Sequence, residues 1–97
     1  MVYAPAAPAM PTARSGLAAT LYKDLVVVLG GELPPSMFSQ NEAYDPKTKS
    51  WRKLTPIPAG RHGTQAATVN GELYLVAGSL RPGSAGVTNE VLVFTLP

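Results

Sequence analysis

The chain has 97 residues, 45% hydrophobic and 14% charged, a globular composition that argues against disorder and allows one small domain at most. Eight basic against six acidic residues leave a charge of +2, too weak for a nucleic-acid-binding face, and no apolar run reaches the roughly 18–20 residues of a membrane-crossing helix. Cysteine is absent and His62 is the single histidine, which excludes a disulfide framework, a thiolate nucleophile and a multi-histidine metal site within one chain, so neither metal nor cofactor is expected.

Met1–Pro8 has no basic start and no long apolar core, so it does not read as a secretory leader, and no compartment follows. Its Pro–Ala spacing fits a flexible linker or an irregular edge strand. A first strand is predicted at about Gly16–Tyr22, small and Thr-rich as a crowded inner strand requires. Leu25–Leu29 is a branched apolar run of strand length, suited to burial on both faces. Gly30-Gly31 opens a long loop to Gln40, followed by a strand at about Glu42–Asp45. Asp45-Pro46-Lys47-Thr48 reads as a turn into a strand at Trp51–Leu54. The pattern then returns: Thr64–Val69, the hairpin signal Asn70-Gly71, Leu73–Ala77, a loop over Gly78–Asn89, and Val91–Phe94. Lys23-Asp24 occupies the place of Asn70-Gly71 with poorer turn chemistry. No segment has a sustained helical period with caps, so the expected class is all-β.

A shift of 47 residues lays Pro11 on Pro58, Arg14 on Arg61, Gly16 on Gly63, Ala19 on Ala66, Gly31 on Gly78 and Leu33 on Leu80, with Gly30 meeting Ala77. Further on the offset becomes 50, pairing Tyr44 with Phe94, so three extra residues lengthen the loop before Val91. A period of this size suits a propeller blade of four short antiparallel strands, a to d.

Pro11-x-x-Arg14-x-Gly16, Gly30-Gly31 and Glu42-x-Tyr44-Asp45-Pro46-x-Thr48-x-x-Trp51 together closely resemble the kelch repeat. Pro58-x-x-Arg61-His62-Gly63 and Leu73–Gly78 resemble a second copy that lacks the first glycine of the pair and has Leu92 at the usual Glu position. The resemblance covers about residues 8–97 and implies blades of a kelch β-propeller, most of which have six or seven. Residues 11–57 form the first repeat, 58–97 a second without its own strand d, and residues 1–10 sit where strand d of a preceding blade belongs. The order is d-abcd-abc, two four-stranded blades in permuted order.

Two blades leave strand edges and faces that invite association. Tyr44 and Arg61 are 17 residues apart, and Phe94 is the same distance from Arg14 when Pro97 is joined to Met1 of a second copy. The expectation is a homo-oligomer closed head to tail, with Val2, Tyr3 and Met10 of one copy meeting Val91, Leu92, Val93 and Phe94 of the next. A trimer of six blades is favoured over a dimer or tetramer.

The kelch resemblance places the junction before strand a and the b–c loop on one face and around the central opening. Ligand-binding candidates there are Arg14, Ser15, Glu32, Arg61, His62, Ser79 and Arg81, in loops over residues 31–40 and 78–89. Arg14 and Arg61 also suit bridges to carbonyls or to Glu42, and His62 suits a hydrogen bond to a neighbouring loop. Tyr44 and Trp51 read as core between blades, and Met37 and Phe38 as folded over the blade. Lys47, Lys49, Arg52 and Lys53 read as a solvated edge. Three functions follow: a binding or scaffold module for a protein or glycan; a building block with no ligand function beyond assembly; a sugar-active, mutarotase-like enzyme. The resemblance also raises a copper oxidase, but its Tyr–Cys crosslink is impossible without cysteine. No catalytic constellation stands out, so no enzymatic role is expected.

Overall fold

Leu25–Leu29 carries apolar side chains on both sides of one strand, so a neighbouring strand on each edge and cover on its faces are needed to shield it. The computed structural model, which describes residues 7–83 and 85–96, supplies both. Among the described residues nine strands follow in chain order: β1 (Ala18–Tyr22), β2 (Leu25–Leu29), β3 (Glu32–Leu33), β4 (Ser36–Met37), β5 (Asn41–Asp45), β6 (Ser50–Lys53), β7 (Gln65–Val69), β8 (Glu72–Ser79) and β9 (Val87–Phe94). They form an antiparallel sheet β1-β2-β5-β6, a second sheet β7-β8-β9, and a small hairpin β3-β4. No helix occurs among the described residues.

The register reproduces the two offsets. Val28 lies opposite Glu42 in the first sheet and Leu75 opposite Leu92 in the second. Val28 to Leu75 is the 47-residue shift, and Glu42 to Leu92 is the 50-residue shift.

Three features differ from expectation. The segment from Gly31 to Gln40 is not all loop, because Glu32–Leu33 and Ser36–Met37 pair across Pro34-Pro35. Both ends of the Gly78–Asn89 loop are likewise strand: β8 and β9 extend past an irregularity between Val76 and Gly78 to pair Ser79 with Val87. Lys23 and Asp24 adopt φ of 47° and 64°, the same left-handed sense as Asn70 (51°) and Gly71 (78°). The tight antiparallel hairpin imposes the turn that local chemistry alone disfavours.

Alternation decides what is buried. Tyr22, Leu25, Val27, Leu29 and Ala43 form one core cluster with Leu73 and Leu75, and Leu92 and Phe94 pack against it. Each fully buried Leu or Val contributes roughly 1.5–3 kcal/mol. The sheets therefore stack through unlike faces: Tyr22 and Val27 correspond by 47 residues to Val69 and Tyr74, on the opposite side of the second sheet from its Leu73 and Leu75.

Polar ties run along the inner strand. The Tyr22 hydroxyl donates to the Gly71 carbonyl at 2.8 Å and accepts from the Leu96 amide at 3.0 Å. Thr68 Oγ1 donates to the Leu21 carbonyl at 2.6 Å and lies 3.4 Å from Thr20 Oγ1. The Gly63 amide donates to the Gly16 carbonyl at 2.7 Å.

Ala77 stands where the first repeat has Gly30, and it holds φ of 55°. A side chain in that region costs roughly 1–2 kcal/mol. Ala77→Gly is therefore expected to stabilise the chain by about 1 kcal/mol, after the extra unfolded-state entropy of glycine is subtracted. A lower urea midpoint for the variant would contradict this account.

Candidate functional site

Arg14 precedes β1 and its side chain is wholly buried. Nη1 donates to the carbonyls of Gly30 (2.6 Å) and Gln40 (3.0 Å), and Nη2 reaches Glu42 Oε1 at 2.8 Å. Thr12 donates to the other Glu42 oxygen at 3.2 Å. One planar guanidinium thus fastens the entry to β1, the exit of β2 and the start of β5. Removal from water lowers its proton affinity, and the Glu42 carboxylate opposes that shift.

Arg61 is equally buried but less well served. Leu92 occupies the place of Glu42, so Arg61 donates to the Ala59 carbonyl at 3.2 Å and reaches the exposed Glu90 at 3.4 Å, and Nη1 has no partner among the described residues. The Arg61 carbonyl accepts from the Gly31 amide at 2.7 Å, which ties the second repeat to the first sheet.

The same end of the molecule carries a polar seam. Ser15 exchanges backbone hydrogen bonds with Glu32, and His62 does so with Ser79. His62 Nε2 donates to the Arg81 carbonyl at 2.7 Å, and Nδ1 lies 3.2 Å from Glu32 Oε2. The Gly83 amide donates to Glu32 Oε1 at 3.3 Å. Five of the sequence candidates, Ser15, Glu32, His62, Ser79 and Arg81, therefore come together in one loop cluster. His62 and Ser79 are buried, while Ser15 and Arg81 face solvent.

At the outer side, β9 pairs only with β8 among the described residues, whereas its counterpart β5 is flanked by β2 and β6. A small apolar cavity of about 100 Å³ borders this region, lined by residues that include Ile57, Pro58, Leu92 and Phe94. A separate, wider cleft of about 540 Å³ is lined by residues that include Leu25, Arg52, Lys53, Leu54 and Leu96.

A Kelch motif model matches residues 13–58, the stretch that holds the Arg14–Glu42 pair and the four-stranded sheet. The chain is 33% identical over 92 residues to the Kelch-like protein terF of Aspergillus terreus, covering 91% of this chain and 20% of that one. It belongs to the kelch-repeat family. It is also 36% identical over 70 residues to the mouse Influenza virus NS1A-binding protein homolog, covering 72% of this chain and 11% of the relative. The solved structure of YjhT superposes with a TM-score of 0.70 and 28% identity over 77% of this chain and 24% of that one. The chain thus spans a fifth or less of the curated relatives' length.

Like a kelch blade, the first sheet has four antiparallel strands, while β7-β8-β9 has three among the described residues. Arg14 and Arg61 lie inside the repeat fabric rather than on its surface. Tyr44 and Trp51 meet on the first sheet's outward face with ring centroids 5.3 Å apart and planes tilted by 47°, and Trp51 Nε1 donates to the Pro8 carbonyl at 3.0 Å. Met10 is half-buried and its sulfur accepts from Arg14 at 3.6 Å, so it is held by its own blade. Val2 and Tyr3 lie outside the described residues, and residues 7–10 form no strand. Leu92 and Phe94 face the first blade, with Phe94 edge-on to Tyr22 at 6.5 Å, while Val91 and Val93 face outward. Met37 and Phe38 are half-buried. Two important residues had little signal in the sequence. Tyr22 is an aromatic beside a turn, and Glu90 stands two residues before the position its role suggested.

Proposed function

We propose that the chain is a kelch propeller segment that acts as a binding or scaffold module, with its ring closed head to tail by further copies. The observation that carries this reading is the unpaired outer edge of β9, next to an apolar cavity, in a blade that has three strands among the described residues. Residues 2–10 of a neighbouring copy would add the fourth strand by main-chain pairing. The Pro8 contact with Trp51 supports this, because it sets the N-terminal segment on the face that a preceding blade would cover. Three copies give six blades, within the usual four to eight.

A protein or glycan ligand would meet the loop cluster of Ser15, Glu32, Ser79 and Arg81. The name of the mouse NS1A-binding protein homolog favours a protein. A non-catalytic role fits His62, since both its ring nitrogens face groups of the protein itself.

Light scattering tests the ring. The expected mass is three times the 10.2 kDa chain mass. A chain without residues 1–10 should lose that assembly. A single-chain mass for the intact protein at every concentration overturns the reading.

A further inference from the structure

The two outward faces are both apolar and unlike. On the first sheet Leu21 is 66% and Val26 37% exposed, beside Tyr44 and Trp51. On the second sheet Val69, Val76, Val91 and Val93 are 41–53% exposed, around Tyr74 and Ala67. These are the two kinds of face that already meet within the chain: the exposed valine face corresponds by 47 residues to the buried face of Tyr22, Val27 and Leu29, and the Leu21 face corresponds to that of Thr68, Leu73 and Leu75. Each exposed face has, in the same molecule, a counterpart already covered by the other type.

We propose that a second copy of this chain docks by repeating that internal stacking, its first-sheet face against the second-sheet face of its neighbour, in a register that sets Ala67 against Leu21 of the next copy. The proposal rests on the head-to-tail reading above and specifies its contact surface. The register comes from the observed seam. Thr20 and Thr68 bring their hydroxyls within 3.4 Å across the two sheets. Moved forward by one repeat, the Thr20 position becomes Ala67. Moved back by one, the Thr68 position becomes Leu21. Within one chain Ala67 and Leu21 lie on opposite outer sides of the stack, so their side chains meet only between copies.

The chain has no cysteine, which makes crosslinking clean. L21C and A67C are prepared as separate single variants, mixed, and oxidised mildly. A disulfide needs Cα atoms about 4.4–6.8 Å apart. The mixture is expected to yield linked pairs at least about tenfold faster than either variant alone, as unlike-face docking demands. Equal rates in the separate variants overturn the proposal in favour of like-with-like contact. No crosslink, in folded variants whose mass is a multiple of the chain, overturns this register and leaves the ring reading standing. A single-chain mass overturns both. Should either variant fail to fold, Trp51, the single tryptophan, lies on the proposed docking face of the unaltered chain. Its emission should shift to shorter wavelength as concentration rises through the association range, and a constant spectrum across that range counts against the proposal.

Discussion

Glu42→Ala is expected to destabilise the chain by about 3–5 kcal/mol, the cost of leaving one member of a buried ion pair without its partner. Both side chains are shut off from solvent and lie 2.8 Å apart. Arginine cannot escape by losing its proton at any ordinary pH, so the buried charge would persist. The carbonyls of Gly30 and Gln40 would still accept from Arg14, but neutral dipoles compensate only part of a full charge. Set against the roughly 5–15 kcal/mol that holds most domains together, this loss is a large share of the total stability. Urea denaturation is the measurement, and a loss under about 1 kcal/mol would show that the pair is solvated and worth no more than a surface salt bridge. Arg61 provides an internal contrast. Among the described residues its carboxylate partner is the exposed Glu90 at 3.4 Å. Glu90→Ala should therefore cost far less, of the order of a surface pair at up to about 1 kcal/mol.

Gly30→Ala is expected to cost about 3 kcal/mol or more, the sum of left-handed strain and of overpacking in a closed space. Gly30 has φ of 70°, and a Cβ there would overlap the Arg61 carbonyl oxygen, with Ile57 Cδ1 next at 3.6 Å. That carbonyl accepts from the Gly31 amide at 2.7 Å, so it cannot retreat without losing a link between the repeats. Gly63 separates the two contributions. Its φ is 64°, yet no atom lies within 4 Å of the added carbon, so Gly63→Ala should show the strain alone. Equal losses at the two positions, measured by denaturant midpoint, would show that backbone strain accounts for everything and that the close approach at Gly30 relaxes freely.

The sequence patterns that proved legible are those with a local physical cause. Leu25–Leu29 matches β2 residue for residue, because branched apolar residues of that length have few other solutions. The change of offset from 47 to 50 reappears as strand register, since Glu42 and Leu92 occupy equivalent rungs. The β3-β4 hairpin was not legible: two-residue strands carry no periodicity, and Ser36 and Pro35 read as loop. The extension of β8 and β9 was hidden for a related reason, because Gly78, Ser79 and Asn89 are poor strand formers held in place by pairing. Within the candidate site, the arginine positions could be read from the repeat, and so could bridging to carbonyls and Glu42. Arg61's partner could not, because Glu90 lies outside the motif position and compensates for Leu92 only in three dimensions.

The ties along β1 have a mechanical consequence. Gly16 with Gly63, Thr20 with Thr68 and Tyr22 with Gly71 follow one another along β1 and the residues that lead into it, like the stitched spine of a book. Hydrogen bonds arranged on a line resist sliding but permit rotation about it. Away from that spine the two sheets meet through Ile57, Leu92 and Phe94, next to the small cavity and the wide cleft. The opening angle between sheets is therefore set at the outer edge by the bulk of whatever fills that space. In a ring of repeated units that angle determines how many units complete a turn. In the ring proposed above, side-chain volume at that outer edge would become the variable that counts the blades.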